Sequence, residues 1–392
     1  MFKLPKNVEF ILDKIHEAGH EAFVVGGPVR DMLRGVTPSD YDVTTSARPE
    51  KIKEIFADMK TVDTGIQHGT VTLILDSLPY EITTYRIDGE YLDARHPEGV
   101  EFTENLSLDL LRRDFTMNAI AYNPKVGIVD TTGGRDDVKA KIIRCVGEPS
   151  KRFSEDALRI LRALRFSATL GFEIERGTAD AIFDLQGNLD YVSRERVYAE
   201  LKKMLCGEHV AGVLDTFMPV LWGTVPEWEC IKSTAGIKFS RDFTVNLIAL
   251  FAKSGATADA YAERMRSLRA DGATIKAGAA VLSALGKYSF DRDGLISLCL
   301  DIGADYARLA TRVAVCLARA SVATLALLDG IIKDTPLTLA DLKISGKDLT
   351  ARGFVGEEIG KTLSALLRAT AHGEVENERG ALLAVAEREK NS

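Results

Sequence analysis

Cysteine is scarce in this sequence, and its distribution excludes two kinds of site. The 392 residues include five cysteines, an odd number scattered along the chain: Cys145, Cys206, Cys230, Cys299 and Cys316. Because there is no C-x-x-C pair and no regular spacing, the sequence offers neither a zinc-binding cysteine cluster nor a disulfide framework. We expect the thiols to be reduced and structural.

Long apolar runs are also missing. No stretch approaches the roughly 20 consecutive apolar residues that a membrane-spanning helix needs. The start of the chain, Met1–Lys6, lacks the apolar segment of a signal peptide. The sequence therefore predicts a cytoplasmic protein with no membrane partner.

Low-complexity segments and a basic overall charge are absent too. Apolar residues make up 46% of the chain and charged residues 27%, which is typical of folded proteins. At this length, two or more structural units are expected. The net charge of −7 excludes a protein that coats nucleic acid, although local basic surface is still able to bind phosphate.

Two motif matches fail on their context. Residues 16–20 match the zinc motif H-E-x-x-H, but Gly19 ends the predicted helix, so the two rings are not held one turn apart. Residues 356–362 are one residue short of a phosphate-binding P-loop and follow no predicted strand. We interpret them as surface histidines and as a helix entry with a solvated lysine.

Periodicity predicts an α+β protein, with a mixed β-sheet in an N-terminal head and helices in all that follows. A helix is predicted over residues 7–18. The predicted strands are Ala22–Val25, Tyr41–Thr45, Thr70–Leu75 and Tyr80–Arg86, with a turn at 76–79 between the last two. Beyond residue 150, segments with a 3.6-residue period dominate.

A glycine turn follows the first predicted strand. Gly26 and Gly27 precede Arg30 at the start of an amphipathic segment. Free backbone N–H groups and the helix dipole attract anions at such a turn, and a guanidinium adds a fork suited to phosphate. A Gly-Gly turn is also a common structural feature, so the turn alone leaves both interpretations open.

Three carboxylates are predicted to reach one side of the sheet. Asp40 and Asp42 are two residues apart at a predicted strand, where alternate side chains share a face. Glu81, in the last predicted strand, is either a third carboxylate of this group or an exposed strand residue. Clustered carboxylates repel one another unless a cation lies between them, and their oxygens suit Mg²⁺. The pattern predicts two-metal catalysis, with a capped, solvated turn as the alternative.

Two later segments combine guanidinium groups with carboxylates. Residues 112–119 place Arg113 beside a carboxylate and an amide, a set able to contact a triphosphate and a ribose. Residues 155–165 predict one amphipathic helix with Asp156 and Arg159 on its polar face, where ordinary ion pairs would explain them. Alternatively, the pair reads a base. Cytosine and adenine each present an amine donor beside a ring-nitrogen acceptor, which a carboxylate and a guanidinium match.

Taken in order, these segments resemble the class II CCA-adding tRNA nucleotidyltransferases of bacteria, which have a polymerase-β-like catalytic head. The resemblance is carried by five motifs: Gly26-Gly27-x-x-Arg30-Asp31, Asp40-x-Asp42, Gly65-x-x-His68-Gly69-Thr70-Val71, Arg112-Arg113-Asp114-Phe115-Thr116-x-Asn118-Ala119 and Glu155-Asp156-x-x-Arg159. It is strong over residues 1–205 and weaker around 344–349.

The resemblance implies roles for particular residues. Asp40 and Asp42 would bind metal, and five residues would contact the nucleotide: Gly27, Arg30, Arg113, Arg162 and Arg165. Asp156 and Arg159 would act as a protein template for the incoming base. The implied cofactor is Mg²⁺, and the implied partners are tRNA, CTP and ATP. The oligomeric state is left open, a homodimer included.

The resemblance also implies a head, neck, body and tail, which we place at residues 1–147, 148–206, 207–333 and 334–392. The predicted function is template-independent addition of C, C and A to the tRNA 3′ end, with release of pyrophosphate. Residues 86–102 look like the intact flexible loop of full CCA adders, and residues 67–70 match poly(A) polymerases poorly. The alternatives are a partial CC- or A-adding enzyme, a bacterial poly(A) polymerase, a non-catalytic RNA-binding protein, and a nucleotidyltransferase acting on small molecules.

Overall fold

The computed structural model describes residues 2–88 and 100–390. The chain forms two compact units. The first unit contains Met1–Val213 and Pro219–Thr224, and the second contains Leu214–Met218 and Val225–Ser392. The finer division into head, neck, body and tail stays a prediction.

The strands lie in the first unit: β1 Ala22–Val25, β2 Val43–Thr45, β3 Lys60–Gly65, β4 Thr70–Leu75, β5 Leu78–Thr84, β6 Arg86–Asp88, β7 Val100–Phe102, β8 Ile120–Asn123, β9 Gly127–Asp130, β10 Ile142–Ile143 and β11 Glu173–Ile174. Seven of them form a mixed sheet in the order β3-β4-β5-β2-β1-β8-β9. Only the β2–β5 pair in that sheet is parallel, among the residues that the structure describes.

Helices flank the sheet and continue the first unit: α1 Lys6–Glu17, α2 Gly27–Leu33, α3 Pro49–Ile55, α4 Leu106–Leu111, α5 Gly134–Ala140, α6 Pro149–Glu155, α7 Leu158–Leu170, α8 Arg176–Leu185 and α9 Arg194–Leu205. Helix α10, Val210–Leu221, is divided between the two units, since Leu214–Met218 belongs to the second. Apolar side chains of β1 pack with those of α4 and β8 in one buried cluster that includes Phe23, Leu110 and Ala121. This packing holds β1, and the turn after it, firmly in place.

Every element of the second unit is helical within its described residues: α11 Phe243–Ser254, α12 Ala258–Ser267, α13 Gly272–Ala284, α14 Arg292–Ile302, α15 Ala304–Cys316, α16 Val322–Asp334, α17 Gly346–Thr350, α18 Glu357–Ala371 and α19 Arg379–Lys390. A separate core at its C-terminal end contains Leu349, Phe354, Leu366 and Leu382. No helix in the described residues is long and apolar enough to cross a membrane.

The predicted strand hairpin is present with a shorter turn. Asp76 and Ser77 both have positive φ, 49° and 64°, as a two-residue hairpin turn with matching twist requires. Pro79, expected in the turn, pairs with Ile74 inside β5. A proline is tolerated there because β2, the neighbour on the other side, pairs only with residues 82–84.

The local structure of residues 16–20 and 356–362 agrees with the rejection of both motif matches. Helix α1 ends at Glu17 and Gly19 has φ 84°, so His16 and His20 do not share a helical face. Helix α18 begins at Glu357 without a strand before it. Neither segment has the backbone context that its motif requires.

Candidate functional site

The two aspartates precede β2 rather than lie within it. The predicted strand Tyr41–Thr45 was wrong at its first residue, because β2 begins at Val43. Asp40 and Asp42 lie in the segment just before it. The backbone oxygen of Asp42 still accepts from Val25 N at 3.0 Å, which ties the segment to the end of β1.

Glu81 is the neighbour of Asp42 across the parallel strand pair. Val43 is in register with Ile82, so Asp42 and Glu81 occupy equivalent positions one residue earlier. Both side chains are exposed, as is that of Asp40. The strand pairing thus places Glu81 beside Asp42, while Asp40 lies two residues before Asp42 along the chain.

The electrostatics of this group favour a bound cation. Although Asp42 keeps accessible surface, protein atoms crowd its carboxylate, and this loss of hydration raises its pKa to about 6. The charges of Glu81 and Asp40 contribute to the rise, and Arg113 opposes it. A cation would relieve the repulsion between the carboxylates.

The carboxylates do not form a complete metal cage. Within residues 2–88 and 100–390, no group of three His, Cys, Asp or Glu side chains is arranged to hold a metal ion. Mg²⁺ commonly uses one or two carboxylates together with oxygens of substrate phosphates and water. Asp40 and Asp42 fit that mode of binding, in which the substrate completes the coordination.

The glycine turn is shaped by a backbone conformation that favours glycine. Gly26 caps α2 with φ 80° and ψ −129°. A Cβ on Gly26 would lie 3.6 Å from Nη1 of Arg113, so the turn and that guanidinium are close neighbours. Gly27 is the first residue of α2, and a Cβ there would lie 3.6 Å from Nη2 of Arg30.

Arg30 is buried and held by its own neighbours. Its Nε and Nη2 donate to the two carboxylate oxygens of Asp31 at 3.1 and 3.2 Å, and its Nη1 donates to Asn118 Oδ1 at 2.7 Å. The fork that was expected to be open to phosphate is therefore engaged by Asp31. These bonds use three of its five N–H groups.

A continuous network joins this arginine to α7. Asn118 Nδ2 donates to Asp114 Oδ1 at 3.2 Å. Arg162 donates to Asp114 Oδ2 from Nε at 2.8 Å and from Nη2 at 2.6 Å. Burial by itself would raise the pKa of Asp114, but the charge and hydrogen bonds of Arg162, with the donor from Asn118, lower it to about 2. Asp114 is thus a buried anion that fixes Arg162.

Asp109 is a site residue that the sequence reasoning missed. Its side chain is fully buried and accepts from Arg112 Nη2 at 2.7 Å and from Arg113 Nη2 at 3.0 Å. Burial opposes ionisation of Asp109, but Arg113 and Arg112 hold its pKa below the usual value. The i,i+3 and i,i+4 spacing from Asp109 to the two arginines was a signal that would have found it.

Arg165 has a partner on a different helix. Its Nε donates to Oε2 of Glu200, in α9, at 2.5 Å. Glu200 is 5% exposed, so this pair is largely buried. The sequence alone offered no signal for it, because 35 residues separate the two positions.

The region 155–165 is not one helix, contrary to the prediction. Helix α6 ends at Glu155, and Asp156 is extended, with φ −143° and ψ 101°, before α7 begins at Leu158. Arg159 was placed on a wet face but is 7% exposed, and its Nη1 donates to Glu155 Oε2 at 2.7 Å. The break explains the error, because a helical projection does not hold across it.

Asp156 is held by backbone and by another helix. Its Oδ1 accepts from the backbone N of Leu158, the first residue of α7, at 3.0 Å, and its Oδ2 accepts from Nη2 of Arg196, in α9, at 2.9 Å. The side chains of Asp156 and Arg159 therefore have different partners. Their proximity comes from the backbone, where Arg159 N donates to Asp156 O at 3.0 Å.

A separate concavity contains none of these residues. It has a volume of about 670 Å³, and its lining residues are Leu33, Arg34, Arg135, Asp136, Val138, Lys139, Lys141, Leu170 and Phe172. Among the residues described above, the carboxylates of Asp40, Asp42 and Glu81 are exposed, whereas Arg30, Asp114 and Arg159 are buried.

Three family models match successive parts of the chain. The poly A polymerase head domain matches residues 22–144, the RNA and SrmB-binding site of polymerase A matches 171–217, and tRNA nucleotidyltransferase domain 2 matches 243–386. The first model covers the sheet with the carboxylates and the glycine turn. Together with the site geometry, the fold defines a nucleotidyltransferase.

Comparisons with individual proteins identify a family within the nucleotidyltransferases. The chain is 44% identical over 241 residues to the CCA-adding enzyme of Leuconostoc mesenteroides, covering 60% of each chain and thus under two thirds of that relative's length. It is 34% identical over 381 residues to that of Lactobacillus delbrueckii subsp. bulgaricus, covering 95% of each. The crystal structure of the Bacillus stearothermophilus CCA-adding enzyme in complex with CTP superposes over all of both chains, with TM-score 0.85 and 31% identity.

The chain belongs to the family of CCA-adding enzymes. This confirms the resemblance, the α+β fold class and the prediction of a nucleotidyltransferase. It confirms the predicted function at the level of the family. The residue roles and the homodimer stay predictions, and the flexible-loop interpretation falls mainly on residues 89–99, which lie outside the described part of the chain.

Proposed function

We propose that this chain adds C, C and A to the 3′ end of tRNA, using CTP and ATP at one active site and releasing pyrophosphate. The observation that carries the proposal is the meeting of Asp42 and Glu81 at the parallel strand pair, beside Asp40 and within the electrostatic reach of Arg113. CTP bound to the Bacillus stearothermophilus relative supports CTP as one substrate.

Asp40 and Asp42 are the proposed ligands of Mg²⁺. When bound, the metal would lower the pKa of the RNA 3′ hydroxyl and neutralise charge on the triphosphate. Glu81 lies close enough to Asp42 to reinforce the negative potential that attracts the metal. We assign it this supporting role, because the described carboxylates form no three-ligand cluster.

The arginines are proposed to bind the nucleotide. Gly27 and the available N–H groups of Arg30 would face the phosphates, with Arg113 on the other side of the turn. Arg162 keeps 34% of its side chain exposed while anchored to Asp114, so its free N–H groups are accessible to a ligand. Arg165 contributes positive charge from the next turn of α7. These residues bind and orient the triphosphate, so that the α-phosphorus meets the 3′ hydroxyl.

Asp156 and Arg159 are proposed to select the base. The carboxylate would accept from the exocyclic amine of cytosine or adenine, and the guanidinium would donate to the ring nitrogen. Uracil and guanine would leave both groups unpaired. Arg196 holds Asp156 in place for this contact, and Glu155 holds Arg159.

The remaining features of the proposal concern the whole chain. We assign residues 1–147 to a catalytic head, 148–206 to a neck that carries the template pair, and 207–333 and 334–392 to a body and tail that bind tRNA. RNA helices are bound mostly through shape and phosphate contacts, which helical surfaces supply. A cytoplasmic location follows from this substrate.

Primer extension tests the proposal and separates its alternatives. A tRNA transcript without its CCA end would be incubated with CTP, ATP or both, and the products resolved to single nucleotides. Growth by three nucleotides, ending in CCA, is the expected result. A stop after two additions, or growth only on a CC-ended primer, would indicate a partial adder, and a long A ladder a poly(A) polymerase. Binding of tRNA without any extension would indicate a non-catalytic protein.

A further inference from the structure

Three arginines of the proposed nucleotide site converge on one aromatic ring. Phe166, in α7, is 6% exposed. The guanidinium carbon of Arg165 lies 3.8 Å from the centroid of its ring, that of Arg30 lies 5.3 Å away and that of Arg162 lies 5.4 Å away. All three distances fall within the range of about 6 Å over which an aromatic ring attracts a cation.

The ring is the shared contact of these three groups. Each guanidinium also has its own carboxylate: Asp31 for Arg30, Asp114 for Arg162 and Glu200 for Arg165. Asp114 also connects Arg162 to Arg30 through Asn118, whereas Arg165 pairs with Glu200. Like charges repel, and the negative ring face is a common partner that offsets the repulsion among all three guanidinium groups.

Phe115, in the segment that follows α4, fixes the orientation of the Phe166 ring. Phe115 meets Phe166 edge to face, with centroids 5.9 Å apart and planes at 88°. Phe115 is fully buried, and its backbone N donates to Asp114 Oδ1 at 2.8 Å. The neighbouring residues Asp114 and Phe115 therefore supply both the carboxylate that holds Arg162 and the ring that orients Phe166.

We propose that Phe166 is a positioning residue for nucleotide binding. Its ring holds the guanidinium groups of Arg30, Arg162 and Arg165 in the arrangement that binds the triphosphate of CTP or ATP. The inference rests on the proposed function, because that function assigns the three arginines to the nucleotide. Phe166 itself does not contact the reacting atoms.

The test compares Phe166→Leu, which keeps apolar bulk, with Phe166→Tyr, which keeps the ring. Phe153→Leu serves as the matched control, because Phe153 is fully buried in the neighbouring helix α6. For each variant, KM and kcat are measured on tRNA lacking CCA, and the Kd for CTP is measured by calorimetry. We expect Phe166→Leu to raise KM and Kd about tenfold, or about 1.4 kcal/mol, with kcat within about twofold. Phe166→Tyr should restore both constants.

The control separates positioning from simple packing. Phe153→Leu is expected to lower the melting temperature while leaving KM for CTP unchanged. The inference is overturned if Phe166→Leu binds CTP normally, if Phe153→Leu raises KM equally, or if Phe166→Tyr is as impaired as Phe166→Leu. A wild-type protein that adds no nucleotide to tRNA would contradict the proposed function instead, and calorimetry would still test the role of Phe166 in binding CTP.

Discussion

Asp114 and Arg162 form a two-point ion pair that connects the segment after α4 to α7. Arg162 donates from Nε and Nη2 to the same carboxylate oxygen, at 2.8 and 2.6 Å, and Asp114 is 8% exposed. Through Asn118, the same carboxylate is connected to Arg30 at the glycine turn. Because of this network, the position of α7 depends on the conformation of the segment that contains Asp114.

Replacing Arg162 with Met should destabilise the protein in a pH-dependent way. The substitution leaves a buried carboxylate without its cation. We expect a loss of about 2 kcal/mol, less than the ~3–5 kcal/mol of fully buried pairs, because Arg162 is partly exposed. Since the pKa of Asp114 is lowered to about 2, the pair's contribution is complete above about pH 4 and disappears as the pH falls through 2.

Urea unfolding at several pH values checks this expectation. The difference between wild type and Arg162→Met should be greatest near pH 7 and should shrink toward pH 2, because burial raises the pKa of Asp114 in the variant while Arg162 lowers it in the wild type. Arg176→Met is the control, since its side chain is 94% exposed and its ion pair with Asp180 is long, at 3.9 Å. A difference that does not vary with pH would show that the charge of Asp114 is not responsible.

Substituting Asp42 with Asn should remove most activity. Loss of one of the two proposed metal ligands is expected to lower kcat by about 10³-fold, since the charge that develops during transfer would no longer be compensated. Glu81→Gln should lower kcat about tenfold, because Glu81 is assigned only a supporting charge. Single-turnover extension of tRNA lacking CCA measures both. Asp58→Asn, at an exposed position, is the control, and wild-type turnover by Asp42→Asn would exclude the metal assignment.

Arg196 should contribute to base selection without touching the base. Arg196→Met frees Asp156 Oδ2 from its 2.9 Å partner, so the carboxylate would be held only at Oδ1, by Leu158 N. We expect the preference for CTP over UTP, measured as the ratio of kcat/KM values, to fall about tenfold, and by about 10²-fold in Asp156→Ala. Arg194→Met, on the same helix, should keep the preference, because Arg194 pairs with Asp190 instead. Unchanged selectivity in Asp156→Ala would contradict the template role.

The cysteines should differ sharply in reactivity. Cys230 is exposed, whereas Cys145 is buried, and burial together with the charge of Asp114 raises the pKa of Cys145 to about 12. Because the thiolate is the reactive form, iodoacetamide at pH 8 should label Cys230 first and leave Cys145 unmodified until the protein unfolds. Peptide mass spectrometry over time measures this order. Equal labelling rates in the native protein would contradict the burial of Cys145.

Local sequence determined a large part of this molecule. The apolar run that predicted β1 and the strand-forming residues that predicted β4 are properties of neighbouring positions, and the structure has both strands with the predicted bounds. The placement of Asp40 and Asp42 by strand alternation was less accurate, because both residues precede β2. The ordered motifs also sufficed to indicate the family, because each motif encodes a short piece of backbone and its chemistry.

Tertiary structure decided which partner each of these groups has. Arg162 meets Asp114 across 48 residues, and Asp156 meets Arg196 across 40. Many carboxylates and guanidinium groups satisfy the same pairing rule, so their sequence positions do not choose between them. The packing of α7 against α9 and against the 112–119 segment makes the choice, because only there are the groups close, oriented and shielded from water.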